Sequence, residues 1–260
     1  MLALSRMCEE NARAAAARQR EVTRVGPFEA LLDRHDPMVW LNYAVPIAPL
    51  ADPLSLADAL AELRRLFSAR GRRLRFEYHA APWPDLTALL IKAGLELQAE
   101  HPTMACGPAE LRPFMAPSVN VQIFDASTTE ADLLAFRMIQ AEGFNMQRDK
   151  PDAAELDRLR ERLAGGDELL GLARVDGQPA AAAALYPIDS VAELAGVATR
   201  PALRRRGAAA SLSAVLSAHF FAGGGKLAWL SAGDAIAYAV YGKVGFYDID
   251  LRLNYITPEN

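Results

Sequence analysis

Strand-like and helix-like segments alternate along this chain twice over. That alternation constrains the fold most, because it favours an α/β sheet with helical crossovers. From Met38, MVWLNYAVPI predicts a strand, LSLADALAELRRLFSARG an amphipathic helix closed by Gly71, and RLRFEYHA a second strand. DLTALLIKAGL follows as a short helix ending at Gly94, then ELQAEHPTMAC as a third strand. Further on, VNVQIFD predicts a strand, TEADLLAFRMIQAEGF and DAAELDRLRERL two helices, and ELLGLARVDGQPAAAAALY a hairpin turning at Asp176-Gly177. The pattern then returns: VAELAGVAT as strand, a helix from about Arg206 to Phe221 stopped by Gly223-Gly224-Gly225, KLAWLSA as strand, DAIAYAVYGKVGF as helix and YDIDLRLNYI as the last strand. The alanine- and arginine-rich opening, about residues 5 to 24, reads as a solvated helix stopped by Gly26-Pro27.

The two runs of alternation resemble each other. Sliding the chain by 151 places Gly94-Leu95 on Gly245-Phe246, Lys92 on Lys243 and Leu90 on Tyr241. Each run reads strand, helix, glycine stop, strand, short helix ending in Gly plus a large apolar residue, strand. The proline-punctuated stretch GPAELRPFMAPS, residues 107 to 118, looks like the boundary. Two similar α/β units are therefore expected, residues 1–115 with the leading helix and residues 116–260.

Composition narrows the function classes. With 52% hydrophobic residues and 28 basic against 32 acidic side chains, the chain reads as globular and has no excess of cationic charge to neutralise phosphates along a nucleic acid. Its two cysteines, Cys8 and Cys106, fit buried small hydrophobes in a reducing compartment. No apolar run approaches the roughly 18 residues that span a bilayer, and the glutamates among the opening arginines argue against a secretory signal. A cytoplasmic protein with neither nucleic acid nor membrane as partner is expected. His35, His79, His101 and His219 show no metal-ligand spacing, so no metal is assigned, and no Gly-x-Ser-x-Gly elbow marks a hydrolase nucleophile.

The most informative stretch is ELAGVATRPALRRRGAAASL, from Glu193 to Leu212. A strand of small and β-branched residues runs into Arg204-x-x-Gly207-x-Ala209, where a helix begins. Unpaired N–H groups at a helix N-terminus, with the positive end of the macrodipole behind them, form an anion site. Side chains larger than methyl at Gly207, Ala208 or Ala209 would keep a diphosphate from those amides. Three cations at Arg204, Arg205 and Arg206 oppose the macrodipole unless an anion is present. Gln140, Arg162 and Arg174 begin the same pattern and fail at its last position, where Asn145, Asp167 and Pro179 stand.

On VATRPALRRRGAAA and on the later DAIAYAVYGKVGF, the chain resembles the GCN5-related N-acetyltransferase (GNAT) family from about Val119 to Ile256. The second motif looks like the family's Asn-x-x-Ala-x-x-x-Tyr-x-x-x-Gly-Phe helix, with Asp234 in place of Asn and Ala237, Tyr241, Gly245 and Phe246 in the other places. The resemblance implies the acyl-CoA N-acyltransferase fold, a mixed central sheet flanked by helices. It implies acetyl-CoA as acyl donor, with the backbone of Arg205 to Ala210 on the pyrophosphate, charge from Arg204 to Arg206, and the backbone of Val197, Ala198 and Thr199 pairing with the pantetheine arm like an added strand. Asp234 and Ala237 fall at the start of the family's second cofactor-contacting helix. Tyr241 stands in the place of the general acid that protonates the departing thiolate, and Glu193 resembles the strand glutamate that deprotonates an amine acceptor.

The first half departs from the family. Its loop PIAPLADPLSL lacks Arg-x-x-Gly, and Leu90 stands where the acid would be, so it is expected to keep the fold and to bind no CoA. Asp52 would repel a phosphate, and Pro53 has no N–H to offer one. It would shape an acceptor pocket or an interface, as in tandem acetyltransferases with one degenerate copy, and the acceptor is expected among residues 143 to 152, the first strand and this first half. The expected activity is N-acetylation of a primary amine of a small molecule or peptide. A CoA-binding sensor or scaffold without transfer activity is the alternative, and an O-acyl or aminoacyl transferase on the same fold stays open.

Overall fold

The computed structural model describes residues 1–50, 53–146 and 151–259. The chain divides into two compact units, Met1–Thr103 with Ile249–Asn260, and Met104–Asp248. The expected division at 115/116 differs from this one, and the chain's last strand is the main reason.

The first unit contains α1 (Leu2–Ala17), β1 (Glu21–Val25), β2 (Phe28–Leu32), β3 (Tyr43–Pro46), α2 (Pro53–Ala69), β4 (Arg75–His79), α3 (Leu86–Lys92) and β5 (Glu96–Cys106) through Thr103. Most of β11 (Tyr247–Ile256) joins them. β1, β2 and β3 form an antiparallel meander, β3 runs parallel to β4 across the α2 crossover, and β11 lies antiparallel to β4 from Arg252↔His79 to Ile256↔Arg75. Leu253 and Tyr255 of β11 enter the same core as Phe28, Leu63, Phe76 and Tyr78, which is why the chain's end belongs with its beginning. The opening helix stops at Ala17, seven residues short of the expected end. The β-branched Val22, Thr23 and Val25 form a strand instead, and Gly26, at φ +55°, turns a hairpin rather than ending a helix.

A charged cluster lies buried in this unit. Glu77 accepts from Arg75 at 2.6 Å and pairs with Arg252, while Arg75 also donates to Gln98 at 2.8 Å and to Asn254. Burial alone would raise the Glu77 carboxyl, but Arg252 and Arg75 outweigh it and hold the group at about 2.

The second unit contains β6 (Val119–Ile123), α4 (Glu130–Gly143), α5 (Ala153–Ala164), β7 (Leu169–Val175), β8 (Gln178–Ile188), β9 (Val191–Thr199), α6 (Ala208–Ala222), β10 (Leu227–Ser231) and α7 (Ala235–Val244). β6 to β9 run antiparallel in order, and β10 is parallel to β9 across α6. In β8, Ala182 and Ala184 pack with Leu133, Phe136 and Leu159 of α4 and α5, while Ala181 and Ala183 pack with Leu212 and Leu216 of α6. A strand covered on both faces needs no polar alternation, which accounts for the unbroken alanine run.

α3 and α7 close alike. Gly94 (φ +78°) and Gly245 (φ +111°) take the left-handed conformation, and the next N–H reaches back five residues, Leu95 to Leu90 O at 3.0 Å and Phe246 to Tyr241 O at 3.1 Å. The surroundings differ. A Cβ on Gly94 would meet nothing within 4 Å, whereas one on Gly245 would stand 2.1 Å from the carbonyl oxygen of Glu110.

Two stability predictions follow from these contacts. Gly94→Ala should cost about 1–2 kcal/mol for the left-handed conformation alone, and Gly245→Ala clearly more, as read by urea unfolding. Equal losses would mean that the 110–112 segment gives way freely. For Glu77, a carboxyl at about 2 in the folded chain against an ordinary 4.5 contributes stability that is complete above pH 4.5 and is lost as the pH falls toward 2. Glu77→Gln should flatten the acid limb of the stability profile in that window, and an unchanged slope would remove Glu77 from the account.

Candidate active site

Gly196, at φ +61°, breaks the regularity of β9. Between Ala182↔Ala198 and Ala184↔Ala195 the register shifts, so β9 carries one residue more than β8 and bulges. Gln140 of α4 donates to Gly196 O at 3.1 Å and fills the space where a Cβ would come within 2.4 Å of its Nε2. The parallel pairing of β10 runs from Leu227↔Val191 to Trp229↔Glu193, before the bulge. Val197, Ala198 and Thr199 therefore lie beyond the last residue pair that β9 makes with β10, and the edge they present toward β10 makes no strand pairing.

The chain then turns through Pro201–Leu203 into the start of α6. Arg205 (φ +61°) and Gly207 (φ +80°) both take the left-handed conformation, and Gly207 is the N-cap. The first backbone bond of the helix runs from Ser211 N–H to Gly207 O at 2.9 Å. Among the described residues, the amides of Arg205, Arg206, Gly207, Ala208, Ala209 and Ala210 have no acceptor. Six consecutive unmet donors stand at the positive end of a 15-residue helix, an arrangement whose chemistry suits an anion. Gly207 is demanded twice over, since a Cβ there would lie 2.6 Å from that of Ala116.

The three arginines differ in what they do. Arg204 braces the turn, donating to Thr199 O and to Gly143 O, each at 3.3 Å. Arg206 pairs with Asp176 at the β7–β8 hairpin. Arg205 is exposed and makes no ion pair or hydrogen bond among the described residues, so its charge is the one at the disposal of a ligand.

Asp234 is the N-cap of α7, its Oδ1 accepting from Ala237 N–H at 2.7 Å. Two turns on, Tyr241 is 7% exposed, packs edge-on to Phe246 with centroids 6.1 Å apart, and belongs to the core on the α6 side. Burial, with Asp234 adding to it, pushes its hydroxyl far above the usual range, so Tyr241 stays protonated at any ordinary pH.

Glu193 faces the other way. Its neighbours Ala192 and Leu194 enter the core under α6, so Glu193 points toward α4 and α5, opposite Tyr186 of β8 and Trp229 of β10. There it joins a half-buried polar group that sequence reasoning did not find: Arg162 holds Glu168 at 2.7 Å, Arg137 holds Glu155 at 3.4 Å, and burial with Glu168 and Glu193 drives the Tyr186 hydroxyl strongly upward. Its one trace in the sequence is a glutamate heading the apolar run ELLGLA. Of the expected acceptor region, residues 147–150 lie outside the described residues. No cluster of metal-ligating side chains occurs among the described residues, no helix among them is long and apolar enough to cross a membrane, and both cysteines are buried and outside any disulfide.

Residues 134–246 match the model of the acetyltransferase (GNAT) family. Among solved structures, a GCN5-related N-acetyltransferase from Kribbella flavida is similar over 98% of this chain and 96% of its own, at 26% identity and a TM-score of 0.82. A GCN5-related N-acetyltransferase from Sphaerobacter thermophilus shares the fold over 89% and 76%, at 14% identity and 0.68. A tandem GNAT protein from the clavulanic acid biosynthesis pathway shares it over 90% and 79%, at 12% identity and 0.64. No curated protein sequence matches the chain. The fold neighbours show a GNAT-like α/β fold, with a mixed open sheet and helices, and residues 134–246 are similar to the GNAT acetyltransferases, a family of acyl-transfer enzymes.

Proposed function

We propose that the protein transfers an acetyl group from acetyl-CoA to a primary amine of a small molecule or peptide. The observation that carries this reading is the run of six unmet amides from Arg205 to Ala210 beside the open edge of Val197 to Thr199. A diphosphate fits the first and an amide-bearing pantetheine arm the second. Arg205 adds the free cation, Arg204 and Arg206 hold the turn in shape, and Asp234, by capping through Ala237, fixes the start of the helix that carries Tyr241.

The proton traffic follows from the two faces. An amine with a pKa of about 10 must lose a proton before it attacks the thioester carbon. Glu193, on the α4–α5 face, receives it directly or through water. As the new C–N bond forms and the C–S bond breaks, the thiolate takes a proton from Tyr241 on the α6 side. A tyrosine whose hydroxyl is pushed far up is a donor that does not ionise beforehand.

The first unit is proposed as a degenerate copy of the second. β3–α2–β4 and β9–α6–β10 are both parallel crossovers that follow antiparallel strands, and the Leu90–Leu95 and Tyr241–Phe246 closures stand 151 apart with the same hydrogen bond. In the first unit, however, β4 offers little free edge. Ala80 N–H bonds to Leu251 O of β11, so the N–H of His79 turns toward β3, and Glu9 of α1 takes it at 2.7 Å. Ala51 and Asp52, of the loop expected to repel phosphate, lie outside the described residues.

Two measurements test the reading. Gly207→Glu puts a carboxylate among the six amides and against Ala116, and calorimetry should show CoA binding abolished; unchanged affinity would remove the site from the α6 N-terminus. Tyr241→Phe should lower turnover about 10²- to 10⁴-fold with CoA affinity nearly intact. An unchanged rate where chemistry is limiting would make Tyr241 a packing residue.

A further inference from the structure

The proline-punctuated stretch 107–118, expected as a boundary between units, lies wholly within the second one and is bound to both of its motif-bearing helices. It opens on a closed turn: Leu111 N–H donates to Gly107 O at 3.2 Å, and Gly107 N–H to Glu110 Oε2 at 3.1 Å. Arg112 N–H then donates to Val244 O at 2.8 Å, meeting an orphan carbonyl at the C-terminus of α7, three residues after Tyr241. Four residues on, Ala116 N–H donates to Ser211 Oγ at 3.0 Å. Ser211 is fully buried in the first turn of α6, and its own N–H makes that helix's first backbone bond. Each of the two attachments lies against a glycine that admits no Cβ, Gly245 at Glu110 O and Gly207 at Ala116.

Between the two bonds, Phe114 and Ala116 pack on the core that holds Tyr241, Val244 and Ala208, while Pro113 and Met115 are exposed. Pro113, with Pro117 just beyond, fixes φ and narrows the ways in which this stretch can give. Four residues reach at most about 14 Å, so the segment limits how far the start of α6 and the end of α7 can part.

We infer that residues 110–116 form a strap, held or released as one unit, and that Ser211, its anchor on α6, is a positioning residue for the six unmet amides. The second half of this inference rests on the acyl-transfer reading: the strap keeps the amides of Arg205 to Ala210 at a fixed remove from Tyr241, so that one donor molecule meets both. The linkage runs both ways, and a ligand that draws on the ordered amides favours the held strap.

Hydrogen exchange of the full chain, without ligand, reads the strap itself. Ser211→Ala removes the acceptor of Ala116 N–H, and the amides of both Ala116 and the more distant Arg112 should exchange about tenfold faster. Ser213→Ala, which takes a hydroxyl from an equally buried position on the same helix, should speed neither. Arg112→Pro, which removes the N–H at the other end, should in turn speed Ala116, and it decides the matter if Ser211→Ala does not fold. Acceleration confined to the amide whose own bond was cut, or equal acceleration in Ser213→Ala, would overturn the strap. Calorimetry with CoA as probe reads the positioning role: Ser211→Ala should weaken CoA about three- to tenfold, the effect of losing one hydrogen bond, and Ser213→Ala should not. A serine that only supports folding would lower the urea midpoint and leave the CoA affinity of the folded chain unchanged, and that result would overturn the positioning role. Absence of CoA binding in the unaltered chain would instead defeat the acyl-transfer reading, with the exchange result still deciding the strap.

Discussion

The geometry of the second unit depends on one extra residue in one strand. A parallel β9–α6–β10 crossover with regular strands would zip its two edges together along their whole length, and no slot would remain. At Gly196 β9 bulges instead, and its pairing with β10 stops at Glu193. A conformation at φ +61° alone would favour glycine, and Gln140, whose amide occupies the Cβ position, makes a side chain there doubly unwelcome. Gly143 repeats the device one turn along α4, where a Cβ would come within 2.6 Å of that of Ala198. The helix is thus pressed onto the strand at the two points that hold the bulge in place.

Much of this was legible in the sequence, and what was not has physical causes. The strand-to-helix passage at RRRGAAA and the closure at Gly245 were readable because each rests on local backbone chemistry, a helix start with small side chains and a left-handed stop. The first hairpin was not, because helix-favouring alanines and arginines run directly into EVTRV with no punctuation between them; the only breaker, Gly26-Pro27, suits the turn of a hairpin as well as the end of a helix. Nor does sequence order betray that the last strand joins the first unit, since the apolar alternation of β11 is satisfied by any core that accepts Leu253 and Tyr255. The three arginines read alike as letters. Their separation into brace, hairpin pair and free cation depends on Thr199, five residues before Arg204, and on Gly143 and Asp176, which are far away in sequence and close in space.

The same crossover meets different fates in the two units. In the second, the strand edge of Val197 to Thr199 and the unmet amides of Arg205 to Ala210 are joined by one short turn, and Ala116 and Phe114 lie against Gly207. In the first, β3 and β4 also diverge early, with Ala44↔Phe76 as their register pair, but a carboxylate from α1 has been brought to the strand amide at His79. A glutamate that satisfies an edge N–H costs a prospective strand-like ligand both the hydrogen bond and the room to make it. Degeneracy of the first copy, on the proposed reading, is therefore more than the loss of a glycine-containing loop; the edge itself is engaged by another side chain.

The division of Tyr241 and Glu193 between opposite faces has a consequence for order of events. On the proposed reading, the acyl donor enters along the open edge from the α6 side and the amine approaches from the side of α4 and α5, so the thioester carbon is the one point that both reach. A donor buried in the core cannot exchange protons readily with solvent, and a hydroxyl pushed far up does not ionise on its own. It gives its proton when a strongly basic thiolate develops beside it, the product leaves as the neutral thiol, and the tyrosine is reprotonated from solvent once the site has emptied. Glu193 works in the opposite setting. It sits half-buried near Tyr186, on the side of the sheet where Arg162 pairs with Glu168 and Arg137 with Glu155. On the proposed reading, the sheet sets acid and base on opposite faces, and the thioester lies where the β9–β10 pairing has ended and both can reach it.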